Sequence, residues 1–172
     1  MATPDDAPAI DALMKASGAA LFPAFYDEEQ TASAVRYVAE VDAMLLADGT
    51  YFVIEAGDEM IACGGWSRRD RLYTGSGDSI DDARMLDPAR EPARVRAMFV
   101  RGDWTRRGLG IRILEACESA AKAEGFRRLV LGSTLSGLPL YLAYGFQRVE
   151  DFDVTLSDGV TLPGVSMEMS ID

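Results

Sequence analysis

The stretch between residues 95 and 134 constrains this chain more than any other. An apolar run at 95–100 leads into Thr105-Arg106-Arg107-Gly108-Leu109-Gly110, and Leu109, Ile113, Leu114, Cys117 and Ala121 then recur at helical spacing until Gly125. Residues 127–134 follow with the buried run Leu129-Val130-Leu131. A strand, a helix of about 108–124 and a second strand make a crossover unit, which places the two strands parallel in one sheet. The rest of the chain must supply what covers and extends that sheet.

Ahead of the unit, Ile10, Leu13 and Met14 recur at helical spacing from Asp5 to Gly18, which predicts a short amphipathic helix. Residues 27–47 predict one further helix, with Val35, Val38, Val41 and Leu45 on one face and Asp27, Glu28 and Glu29 at its N-terminus. Tyr51-Phe52-Val53-Ile54 and the run 60–66 bracket Gly57-Asp58-Glu59, a hairpin signal. Residues 67–92 are polar and carry Gly75, Gly77, Pro88 and Pro92, and are read as an irregular insertion beside the active face. After the unit, Pro139 opens a short helix ending at Gly145, and strands are expected near 146–156 and 165–171. The expected fold is α+β: a mixed, mostly antiparallel sheet with a central parallel βαβ unit flanked by helices. One domain over residues 1–172 is expected, since 172 residues with 48% hydrophobic and 26% charged side chains suit one packed core.

Charge narrows the partners. A net charge of −11 opposes binding to nucleic acid or an anionic membrane, since both need basic neutralising charge. Within residues 94–112, however, Arg94, Arg96, Arg101, Arg106, Arg107 and Arg112 face only Asp103, whereas residues 1–61 carry twelve acids against Lys15 and Arg36. With no histidine, and with Cys63 and Cys117 far apart, no metal is expected. No basic and apolar leader opens the sequence and no apolar run is long enough to span a bilayer, so a reduced, cytoplasmic setting is expected.

Thr105 to Gly110 lies between a strand and a helix start, where free backbone N–H groups and the positive helix end can hold a phosphate. The K-[ST] of a nucleotide P-loop is missing, and Ile113 stands where the dinucleotide fingerprint needs its third glycine or alanine. The flanking arginines favour an anion site over a merely tight turn.

These residues resemble the GCN5-related N-acetyltransferases. Met98-Phe99-Val100 running into Thr105-Arg106-Arg107-Gly108-Leu109-Gly110 is similar to that family's acetyl-coenzyme A segment, a strand followed by [RQ]-x-x-G-x-[GA] and a helix. Tyr141-Leu142-Ala143-Tyr144-Gly145-Phe146 resembles its later Y-x-x-x-G-F signature. The order of elements extends the likeness over most of residues 5–171.

The resemblance implies transfer of an acetyl group from acetyl-coenzyme A to a primary amine by direct attack. It assigns Met98, Phe99 and Val100 to the splayed strand that meets the pantetheine arm, and Arg106, Arg107, Gly108, Leu109, Gly110 and Ile111 to the pyrophosphate loop. Thr134 takes the place of a frequent cofactor-contacting asparagine, and Tyr144 is grouped with the cofactor residues. Tyr141 matches the acid that protonates the departing thiolate, while a main-chain N–H near Phe99 or Val100 would polarise the carbonyl. The chain departs from the pattern at Thr105, where a long [RQ] side chain is usual, and at Gly102, where proline is common. The family's first strand has only Met1 to Pro4 available.

The general base stays open between Glu55, Glu28, Glu29 and ordered water. If the acidic first third faces the acceptor groove, a cationic acceptor is expected: a polyamine, an aminoglycoside-like amine or a lysine-bearing peptide. Two other classes remain open, a non-catalytic acyl-coenzyme A binding module and a partner-binding domain without cofactor. Dimerisation is common in the family, and a homodimer is compatible with the sequence.

Overall fold

The computed structural model describes residues 1–71 and 84–172. Helices α1 (Ala7–Leu21), α2 (Glu28–Tyr37) and α3 (Ala43–Ala47) precede the hairpin β1 (Tyr51–Ala56) and β2 (Glu59–Ser67). Then come β3 (Ala93–Val100), α4 (Leu109–Ala123), β4 (Arg128–Thr134), α5 (Leu138–Tyr144), β5 (Gln147–Thr155) and β6 (Thr161–Ser170). Among the described residues the strands form one six-stranded sheet in the order β1-β2-β3-β4-β6-β5, in which only β3 and β4 pair in parallel. This is the mixed sheet with a central parallel unit that the sequence predicts.

Two cores lie on the two faces of that sheet. Ile113, Leu114, Cys117 and Ala121 of α4 pack on Val95, Leu129, Leu131, Val165 and Met167, with Tyr141 of α5 among them. On the opposite face Ile10, Leu13 and Met14 of α1 meet Ala34, Leu45, Tyr51, Cys63, Phe99 and Leu162. The apolar stripe of α1 is as read, and the helix runs on through Gly18 to Leu21. There a Cβ would come within 2.9 Å of the Phe22 ring and 3.2 Å of Val35, so the glycine admits α2 against α1.

The helix expected over 27–47 is two helices. Asp27 caps α2, accepting from Gln30 N at 2.7 Å, and the helix ends at Tyr37. Asp42 then starts α3 by accepting from Met44 N at 3.1 Å and Leu45 N at 3.4 Å. The second carboxylate oxygen pairs with Arg96 of β3, and this buried ion pair holds Asp42 out of any continuous helix.

The hairpin forms as expected around Gly57-Asp58, with Gly57 at φ +62 and Glu59 already in β2. In the segment 67–92, Arg69 and Met85 form an isolated antiparallel bridge, and residues 72–83 lie outside the described residues. Strand β6 begins at Thr161, four residues earlier than predicted. The added residues include Pro163, which pairs with Asp153 of the edge strand, and Gly164, which pairs with both Thr134 and Phe152. Among the described residues no strand precedes α1, and Met1 to Pro4 touch the sheet through Ala2 N, which donates to Tyr51 O at 2.8 Å.

Candidate active site between parted strands

Strands β3 and β4 pair through Ala93 with Leu129 and Arg94 with Val130, and no further. Beyond that point they part, and a cleft of about 100 Å³ opens between Val95 to Phe99 on one side and Leu131 to Thr134 on the other. Its far walls come from Val38, Phe152, Val154, Leu156, Leu162 and Pro163, and Tyr141 reaches it from α5.

A β-bulge shapes β3 at the cleft. Cys63 pairs with Phe99 and Gly65 with Arg96, so Ala97 and Met98 together oppose Gly64 alone. Ala97 sits at φ +53, a left-handed conformation that costs an L-residue about 1–2 kcal/mol. Two bonds hold the strand there: Tyr51 OH donates to Ala97 O at 2.6 Å, and Ser17 Oγ donates to Val100 O at 2.6 Å. The bulge sends Met98 to the α4 face and Phe99 to the α1 face. Gly64 has no side chain because a Cβ would lie 2.7 Å from Met98 Sδ and 2.8 Å from Ile113.

At the same end of the sheet, the loop after Val100 delivers the N-terminus of α4. Gly108 is its N-cap at φ +77, no side chain caps the helix, and a Cβ there would meet nothing within 4 Å. The first helical bond is Arg112 N to Gly108 O, so the N–H groups of Leu109, Gly110 and Ile111 precede the intrahelical ladder. Arg106, at φ +60, and Gly108, at φ +77, both hold left-handed backbone in this turn.

The six arginines of residues 94–112 divide. Arg94 pairs with Asp70, Arg96 with Asp42, and Arg101 with Glu59 and Asp103. Arg106, Arg107 and Arg112 have no carboxylate partner among the described residues, and all three are exposed around the first turn of α4. Arg107 stacks over Trp104 at 4.5 Å from the ring centroid. Local pairing therefore cancels half of the arginine excess and leaves the remainder beside the helix end, where a pyrophosphate would need it.

The other expected site residues fall into place unevenly. Gly110 serves packing, since a Cβ would lie 2.6 Å from Leu140 of α5. The Leu109 side chain is buried against Ile61 and Ala62, and Ile111 is exposed. Thr105 Oγ1 donates to Gly102 O at 3.1 Å and closes the turn. Thr134 lines the cleft, but its hydroxyl lies 3.0 Å from Ser136 Oγ and accepts from Gly137 N at 3.3 Å, which shapes the entry to α5. Tyr144 faces α4 and donates to Glu118 Oε2 at 2.6 Å, outside the cleft lining.

Tyr141 is buried edge-on against Phe146, 5.8 Å between ring centroids. Burial pushes its phenol well above the ordinary 10, with the nearby Cys117 adding in the same direction, so the phenol keeps its proton at any working pH. None of Glu28, Glu29 and Glu55 lines the cleft, and all three are exposed elsewhere, on α2 and β1.

Residues 47–148 match the family model described as an acetyltransferase (GNAT) domain. The chain belongs to the GNAT acetyltransferase family. Solved structures show the same fold at low identity. A GCN5-related N-acetyltransferase from Rhodopseudomonas palustris aligns with TM-score 0.74 at 18% identity over 98% of this chain and 92% of its own. PaiA N-acetyltransferase from Thermoplasma acidophilum, in complex with coenzyme A, aligns at 0.65 and 14%, covering 98% and 95%. Salmonella typhimurium yncA, with its cofactor acetyl-CoA, aligns at 0.63 and 17%, covering 99% and 91%. No curated protein sequence matches. In this GNAT chain no helix of the described residues is long and apolar enough to cross a membrane, and no cluster among them could hold a metal ion.

Proposed function

We propose that residues 1–172 act as one N-acetyltransferase domain that uses acetyl-coenzyme A and a small primary amine. The observation that carries this reading is the joint position of the parted β3 and β4, the uncapped N-terminus of α4 and the phenol of Tyr141. The residues fit the cofactor. Leu109, Gly110 and Ile111 N–H groups, with Arg106 and Arg107, suit its pyrophosphate, and the open space over Gly108 lets it approach. Met98 to Val100 lie where β3 has lost its β4 partner while keeping β2, which suits an arm extended along the open edge of its main chain.

When bound, acetyl-coenzyme A supplies an activated acetyl thioester. The amine nitrogen forms the C–N bond while the C–S bond breaks with its electron pair on sulfur. Tyr141 gives its phenolic proton to that sulfur, and the proton released by nitrogen restores the phenol through water. The Phe99 N–H is bonded to Cys63, so the neighbouring backbone N–H groups of β3, that of Val100 among them, stabilise the charge that grows on the carbonyl oxygen.

Thermal unfolding with acetyl-coenzyme A, coenzyme A, ATP and NAD tests the cofactor. At a hundredfold excess over Kd the native state gains about 2.7 kcal/mol, a rise of roughly 5–10 °C at this chain length. Coenzyme A species alone should give the rise. A shift absent with both would end this reading, and thiol release with an amine separates a catalyst from a module that only binds.

A further inference from the structure

The acceptor side of the cleft is apolar, and this deepens the N-acetyltransferase reading on which it rests. The cofactor elements α4 and α5 lie on one face of the sheet. The cleft continues through the gap to the other face, where Val38, Val154, Leu156, Leu162 and Pro163 line it. The one charged side chain in its described lining is Arg96, whose side chain is 1% exposed and ion-paired with Asp42 at 4%. The pair cancels its own charge within the wall. Tyr26, which straps this end of the cleft, has its hydroxyl committed on both sides: it donates to Pro163 O and accepts from Leu135 N, each at 2.8 Å.

An ammonium entering such a wall sheds water and meets no carboxylate among the described residues, so the neutral amine is favoured. An apolar body gains from the same wall, by about fourfold in affinity for each methylene buried. The cleft as a whole, with both faces included, measures about 100 Å³, against roughly 10–15 Å³ for one water, so the share left to the acceptor suits a compact aryl or branched-alkyl group.

We propose that the acceptor is a primary amine on an aryl or branched-alkyl body, taken up in its uncharged form. Acidic residues of the first third then colour the surface and do not select the acceptor.

The test is initial-rate thiol release by the full chain at saturating acetyl-coenzyme A. The panel is methylamine, isobutylamine, benzylamine, putrescine, spermidine and an α-N-acetyl-lysine ester, each from pH 6.5 to 9.5. Benzylamine and isobutylamine should exceed methylamine and putrescine at least tenfold in kcat/KM, and their kcat/KM should rise with the neutral fraction of each amine. Putrescine, spermidine or the lysine ester matching benzylamine overturns the proposal, as does a coenzyme A dependent melting shift with no turnover of any amine here. No melting shift with coenzyme A would instead defeat the N-acetyltransferase reading itself. Val154→Asp should lower benzylamine turnover tenfold and raise that of putrescine. Leu162→Ala, which adds no charge, should move the preference towards larger aryl amines, so the pair separates charge from lost packing.

Discussion

Replacing Asp42 by Asn isolates the buried charge under the cleft. The asparagine oxygen can still accept from Met44 N and Leu45 N, so the cap of α3 survives while the carboxylate beside Arg96 is lost. Removing one partner of a buried ion pair costs about 3–5 kcal/mol, because the remaining charge stays desolvated. A chain of this length loses roughly 2–4 °C in Tm per kcal/mol, so Asp42→Asn should melt about 6–20 °C lower. Asp42→Ala also removes the cap and should cost about 1 kcal/mol more. Replacing both charges, in Asp42→Asn with Arg96→Met, should recover most of the loss, since no charge is then left buried. Calorimetry or urea melts followed by circular dichroism read all three, provided m is unchanged. A single variant within about 2 °C of wild type, or a double variant no better than the single, would refute the claim that the pair is dry and mutually compensating.

Tyr141→Phe should lower kcat about a hundredfold or more while coenzyme A affinity stays within a few fold, read by thiol release and by melting shift. Gly108→Ala should cost about 1–2 kcal/mol through φ alone, because the space around its Cα is open. Arg106→Gly, at φ +60, should instead stabilise the apo protein and weaken coenzyme A binding. Both cysteines are buried, and burial pushes the Cys63 thiol up to about 12, so native protein should not react with a disulfide reagent at pH 8 and denatured protein should react twice. At Glu91, bonds from the Arg84 guanidinium and from Asp87 N–H hold the carboxyl down at about 2. Its contribution to stability is then complete above the ordinary carboxylate range and lost as pH falls through about 2, and acid melts of Glu91→Gln should lack that part of the decline.

Much of this architecture was legible because it is local. Helical spacing marks α1 and α4, the glycines at 57, 108, 125 and 145 sit at positive φ where turns were read, and the strand-helix-strand order fixes a parallel pair. The break between α2 and α3 was not legible. Val35, Val38, Val41 and Leu45 keep helical spacing straight through it, and the residue that decides against a single helix, Asp42, does so by pairing with Arg96 on a strand far along the chain. Gly110 gave the same kind of surprise, since its want of a side chain answers Leu140 and not a phosphate.

Sequence alone determined the strand-helix-strand unit, the glycine turn before α4 and the aromatic pair on α5, since each depends on neighbours a few residues apart. Tertiary structure decided which charges remain available and which side chains line the cleft. Six arginines in one segment become three once Asp70, Asp42, Glu59 and Asp103 are brought against the others. Twelve acids lie in the first third, yet none of them lines the cleft, whose wall includes Val38, Val154, Leu156 and Leu162. Charge along a chain adds up regardless of folding, whereas the field in a cleft depends on which side chains the sheet turns towards it and which ones it pairs.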